Sequence, residues 1–281
     1  SGTEESVSRM STRDLIKFHQ DWFKPNNATM VVVGDVTLDA MVPRLESLFK
    51  TWQQGAVPKK NIGQVAQQDG ASVYLIDKPG SPQSVILAGH VAPPKSDPDD
   101  IAMNMMNSIL GGIFTSRINM NLRENKHWSY GAGSFLAGAK GQRPFIAYAP
   151  IQGDKTKESI MEIKKELSGI LGASPATQEE LDKVQKNEIL GLPGSWETMG
   201  AVGNSISDIV TYGLPDDYYQ TYPEKIRDLK LTDISRAAAK LLHPDQVLWI
   251  VVGDRAKVEG SLKELGYGAI KLIDTDGNPV K

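Results

Sequence analysis

The sequence predicts an α+β fold, a sheet with helices packed on one face. Two observations carry that. Pairs of strand-like runs alternate with pairs of helical segments through the last two thirds of the chain, a pattern that stacks helices against a sheet. Hydrophobic residues make up 40% of the 281, an ordinary share for a packed core, and the strand-like runs are short.

The elements follow in order. "TRDLIKFHQDW" has the apolar spacing of an amphipathic helix, Pro25 marks its stop, and "TMVVVGDV" reads as a buried strand ending in a Gly-Asp turn. "LDAMVPRLESLFKTW" is a further helix. "SVYLIDKPGSPQSVILAGHV" reads as two strands around a Lys-Pro-Gly-Ser turn, a hairpin signal. "DPDDIAMNMMNSILGG" is a helix with an acidic first turn and a glycine stop, and "TSRINMNLREN" is a second helix. "SYGAGSFLAGA" and "RPFIAYAPIQ" form another strand pair. "KTKESIMEIKKELSGIL" is amphipathic, and Thr177 with Glu180 opens the next helix as a capping box. Helices cover 195–241 with an interruption at Pro215, then a strand at 247–253 and a last helix close the chain.

Residues 12–36 and 231–255 echo each other without a gap. Asp14 falls on Asp233, Pro25 on Pro244, and Val32-Val33-Gly34-Asp35 on Val251-Val252-Gly253-Asp254. Gapless register through helix, proline, strand and turn points to duplication. The expected organisation is the C-terminal part of a first, truncated repeat domain in residues 1–57, a linker at 58–71 rich in Gln, Gly and Lys, and a complete second repeat domain in 72–281. The opening "SGTEESVSRM", with no initiator methionine and no signal peptide, is expected to be a cut start of a longer polypeptide.

Charge excludes some classes. With 31 basic and 34 acidic residues, the net charge of -3 argues against a general nucleic-acid binder. No apolar run approaches the ~20 residues of a membrane span. Without cysteine there is no disulfide, thiolate metal site or cysteine nucleophile. The four histidines, His19, His90, His127 and His243, form none of the short pairs that place two imidazoles on one helix face, so no metal site is expected in this chain. "GAGSFLAG" lacks the spacing of a dinucleotide loop. The paired acids at 99–100, 179–180 and 216–217 precede or begin helices, where the dipole favours carboxylates.

One stretch resists the structural reading, "NLRENKHWSYGAG". Arg123 and Tyr130 stand either side of an expected helix end and turn. Both are ordinary at a helix terminus and a strand start. They could also converge, since a guanidinium forks onto a carbonyl and a phenol donates to a developing oxyanion.

Several motifs resemble, in order, the C-terminal half of the insulinase/pitrilysin family of zinc peptidases: "DKPGSPQSVI", "LGGIFTSRINMNLRENKHWSYGAG", "GLPDDYYQTYPEKI" and the two "VVGD" runs. The resemblance covers essentially the whole chain. It implies a two-layer α+β sandwich, a mostly antiparallel sheet with helices on one face. It implies a non-catalytic, substrate-binding half that clamps a peptide against a zinc-bearing partner domain or subunit with an H-x-x-E-H motif. The peptide backbone could add a strand to a sheet edge. By resemblance, Arg123 and Tyr130 bind substrate carbonyls and Tyr130 assists the tetrahedral intermediate. Zinc is expected only in the partner, and this chain is expected to be inactive alone. His127-Trp128 stands where the family more usually has Gly-Leu. The alternatives are a family member without peptidase activity, serving as a structural or chaperone-like subunit, and a metal-independent peptide-binding domain. An exported, periplasmic bacterial enzyme suits the match.

Overall fold

A computed structural model describes residues 2–280. The chain divides into two compact units, Ser1–Gly63 with Pro193–Thr211, and Gln64–Leu192 with Tyr212–Lys281. Along the chain the helices α1 (Glu4–Ser8), α2 (Thr12–Trp22) and α3 (Leu38–Phe49) come first. The strands β1 (Ser72–Asp77) and β2 (Gln83–Ala92) lead to helices α4 (Asp100–Asn107) and α5 (Arg117–Asn119). Strands β3 (Gly133–Leu136) and β4 (Arg143–Gln152) precede α6 (Thr156–Gly169) and α7 (Gln178–Gly191). Then follow α8 (Met199–Tyr212), α9 (Tyr218–Asp228), α10 (Leu231–Leu241), β5 (Leu248–Gly253), α11 (Arg255–Lys263) and β6 (Lys271–Ile273). Most of α8 therefore counts with the first unit, although it lies between elements of the second in sequence.

In the second unit six strands form one mixed sheet, ordered β3-β4-β2-β5-β1-β6. Three of its ladders are antiparallel, and β1 runs parallel to both β5 and β6. Strand alternation sorts the faces. Val73 and Leu75 lie across from Trp249 and Val251, these across from Ala88 and Ile86, and these across from Ala147 and Ala149. All are buried, while Val85, Phe135 and Tyr148 on the other side are exposed. The buried residues of α4, α6, α7 and α10 join the same core, giving the α+β sheet with helices on one face. Thr177 and Glu180 make the capping box expected of them.

Two expectations need correction. The strands flanking Lys78-Pro79-Gly80-Ser81 are not a hairpin. The turn exists, with Gly80 at φ 75° and Ser81 N–H on Lys78 O, but β5 lies between the two strands. Lys78 N–H donates to Gly253 O at 2.8 Å and Gly80 N–H to the Asp254 carboxylate at 3.2 Å. The turn thus crosses the end of β5 and is tied to it. The buried strand expected at 29–34 does not form either. It joins no ladder, and Met30 and Val32 are exposed. A strand needs a neighbour to accept and donate its backbone hydrogen bonds, and none of the described strands pairs with 29–34.

The two echoing segments form helices with matching bounds. With residue 12 set on residue 231, α2 and α10 coincide end to end. Asp14 accepts the Ser11 N–H at 2.8 Å, and Asp233 accepts the Lys230 N–H at 2.9 Å.

One buried group sets a pH dependence. His90 lies on the core face of β2, stacked on Phe145 at 4.9 Å and edge-on to His243 at 5.3 Å. Burial chiefly, and His243 to a lesser degree, pull its pKa down to about 4, against an opposing bond to Val91 O. Burial also lowers His243. The unfolded chain takes up a proton near the usual 6.5 that folded His90 refuses until about 4, so stability falls as pH drops from about 6.5 to 4. Chemical denaturation at pH 7 and pH 4.5 should differ by roughly 2–3 kcal/mol from His90. His90→Phe should flatten that slope; an unchanged slope would exclude His90 as its source.

Candidate functional site

The stretch around Arg123 departs from a regular helix. α5 continues as a π-helical segment, Met120–Asn125, one residue wider per turn. Such widened turns recur at functional sites. The turn that follows the segment contains His127, the one described non-glycine residue with positive φ, at 59°. Trp128 N–H then reaches back to Leu122 O at 2.9 Å, a bond one residue longer than an α-helical cap would use. The backbone at His127 is the left-handed one a glycine adopts freely, so the histidine keeps that turn at some cost.

From there the chain is pinned to the end of β4. Ser129 bridges Ile151, and its hydroxyl donates to Pro150 O at 2.6 Å while accepting Gly131 N–H at 3.1 Å. Gln152 N–H donates to Trp128 O, and the Gln152 amide to His127 O. Tyr130, the residue between these anchors, projects outward and is 89% exposed. No described group hydrogen-bonds its hydroxyl.

Arg123 is half-exposed. Its guanidinium carbon sits 4.5 Å from the centre of the exposed Phe114 ring, and its Nε lies 3.5 Å from the Glu124 carboxylate. Arg123 and Tyr130 line one open cavity of about 430 Å³ with Gln83, Glu124, His127 and Gln152. It offers a guanidinium, a phenol and amides, the groups that grip peptide carbonyls.

Two contributors were not singled out in the sequence. Phe114 gives Arg123 its platform. Asn119, buried, accepts Ala132 N–H at 3.0 Å and donates to Phe114 O at 2.6 Å. It joins the helix before Arg123 to the strand after Tyr130. A polar residue between Ile118 and Leu122 on an apolar helix face was the available signal. Arg117, in the same motif, has a structural task. It forks onto Glu180 with bonds of 2.7 and 2.6 Å and donates to Pro175 O. Burial disfavours the Glu180 charge, but the Arg117 and Thr177 bonds outweigh it and lower its pKa. The Leu-Gly-Gly that precedes them is steric. A Cβ on Gly133 would fall 2.5 Å from Gly111 O, so the π-helical segment Ser108–Gly112 and β3 touch backbone to backbone.

A second cavity, about 440 Å³, lies on the open side of the sheet, lined by Val65, Leu87, Val91, Ile146 and Ile250. Its one charged lining residue, Arg143, is already committed to Asp100 and Pro93 O. It carries no reactive group. Nor do the residues present fit a zinc ion. His90 and His243 approach each other, but the described residues hold no group of three His, Asp or Glu side chains able to ligate a metal. No helix is long and apolar enough to cross a membrane among the described residues.

The model of the family described as the peptidase M16 inactive domain matches residues 9–188. The chain is 25% identical over 253 residues to the zinc protease PqqE of Helicobacter pylori, spanning 87% of this chain and 55% of that protein. It is 22% identical over 257 residues to the non-peptidase homolog YmxG of the same organism, spanning 91% and 59%. The fold matches the crystal structure of a peptidase M16 inactive domain from Pseudomonas fluorescens with a TM-score of 0.81 and 22% identity, over 90% of this chain and 60% of that one. The chain thus spans little more than half the length of these relatives.

Proposed function

The chain belongs to the peptidase M16 inactive-domain family, and from that premise we propose that it is the substrate-binding half of a zinc endopeptidase. The observation that supports this reading best is the shared cavity of Arg123 and Tyr130, together with the lack of a metal-ligand set among the described residues. A homologous half with an H-x-x-E-H motif would hold the zinc and supply the activated water. This chain's part is recognition and charge. Arg123, oriented by Phe114, forks onto a peptide carbonyl or carboxylate. The unengaged Tyr130 hydroxyl donates to the scissile carbonyl oxygen as that oxygen gains charge.

The test is a quenched fluorescent peptide. The chain alone should leave it intact, and adding the zinc-bearing half should give chelator-sensitive cleavage. Chelator-sensitive cleavage by this chain alone would overturn the reading, as would no cleavage by the mixture. The similarity to a relative named as a non-peptidase homolog supports a second reading, a structural subunit of such a pair. A complex that forms yet cleaves nothing would favour it.

A further inference from the structure

We propose that His127 is a specificity-determining residue of the Arg123–Tyr130 cavity, and that together with Arg123 it selects peptides carrying a carboxylate side chain. The inference deepens the reading above and rests on it for the peptide. The case for His127 itself is independent of zinc.

The observation is a left-handed backbone beneath a side chain that the fold does not use. His127, at φ 59°, is the one described non-glycine residue in that region. Histidine tolerates the region better than most residues, but its Cβ is still crowded there, and glycine would avoid the crowding. The main chain does what the turn requires. His127 O accepts the Gln152 amide at 3.2 Å, and Trp128 N–H closes the turn on Leu122 O. The imidazole is exposed and makes no hydrogen bond, ion pair or ring contact with any described residue. It lines the same cavity as Arg123 and Tyr130. Backbone outliers cluster at ligand clamps and active sites, where the side chain they present has a use outside the fold.

The chemistry of the cavity wall identifies the ligand. Arg123 and His127 both supply N–H donors, while Lys126 turns away towards Glu162 and the Trp128 ring. Glu124 is the one acid in the lining. It meets Arg123 only at Nε, 3.5 Å away, with side chains 35% and 41% exposed. An exposed pair of that length is weak, and both outer guanidinium nitrogens are without a hydrogen bond to any described residue. A peptide carbonyl offers such a wall one oxygen. A carboxylate offers two oxygens and a charge, enough for the guanidinium and the imidazole N–H together. A glutamine side chain, of the same length as glutamate, offers one acceptor and a competing donor.

The test uses two blocked heptapeptides of alanine and serine that differ only at the central residue, Glu in one and Gln in the other. In an NMR titration of the chain, the Glu peptide should shift the His127 ring and Tyr130 signals. It should bind about 5-fold more tightly than the Gln peptide, the scale of an exposed charge pair. His127→Gly should remove most of that preference without lowering the melting temperature, since the turn suits glycine. A variant that melts several degrees lower would show that the imidazole serves the fold, and would overturn the proposal. A Glu preference that survives His127→Gly would overturn it too. Quenched fluorescent versions of both peptides, given to a mixture with a zinc-bearing homologous half, separate this inference from the reading beneath it. Cleavage of both at equal kcat/KM keeps the peptidase reading and overturns the role of His127. A His127-dependent preference in binding with no cleavage upholds that role and overturns the peptidase reading. No binding and no cleavage overturns both.

Discussion

Replacing Arg143 by alanine should cost the second unit about 3–5 kcal/mol, the range for breaking a buried ion pair from one side. The Arg143 and Asp100 side chains are 1% and 4% exposed and bonded to each other. Arg143 Nε donates to Pro93 O at 2.7 Å, and Lys95 Nζ lies 3.2 Å from the other Asp100 oxygen. The pair joins the first residue of β4 to the first turn of α4. Alanine would strand a carboxylate in the core without its guanidinium, leaving Lys95 as the cation 3.2 Å from it, and leave Pro93 O without its donor. The penalty comes from that orphaned charge rather than from the net value of the pair. Arg143→Met combined with Asp100→Leu should therefore recover most of the loss. Chemical denaturation of the two variants decides it. A loss below about 1 kcal/mol for the alanine variant would mean that water reaches Asp100.

The contrast between what was legible in the sequence and what was not follows the range of the interactions. Capping at Thr177–Glu180, the β3–β4 pair and the helix break at Pro215 are set by residues a few positions apart, and the sequence displays them. The Lys-Pro-Gly-Ser signal is equally local and the turn is real. Nothing local says that β5, far along the chain, will enter between β1 and β2. The gap between strands two places apart is about 9–10 Å, which the turn spans by crossing the end of β5. The strand at 29–34 failed for the same reason in reverse: its pattern is right, but a pattern does not supply a neighbour. At the candidate site, Arg123 and Tyr130 were reachable through the family's motif. Phe114 and Asn119 act through a ring contact and two backbone bonds that exist only once the π-helical turn has closed. That turn has no periodicity signature in six residues, so the direction in which Arg123 points was not readable.

On the proposed reading, Tyr130→Phe, assayed in a mixture with a zinc-bearing homologous half, should lower kcat by about 10²–10³ and change KM little, because the hydroxyl would matter most when the carbonyl oxygen carries charge. The substitution removes one oxygen from a side chain that is 89% exposed, so melting should not move. Arg123→Ala should chiefly raise KM, since a guanidinium fork holds the ground state and the transition state alike. Phe114→Ala should follow Arg123→Ala in direction with a smaller effect, because it removes the ring 4.5 Å from the guanidinium and not the guanidinium itself. Arg123→Lys separates charge from shape. A point charge without the fork should recover only part of the binding. Steady-state kinetics on the four variants, each with a melting curve, distinguishes these roles. A kcat that survives Tyr130→Phe, with a KM that survives Arg123→Ala, would reduce the cavity between them to the junction of a helix end and a strand start.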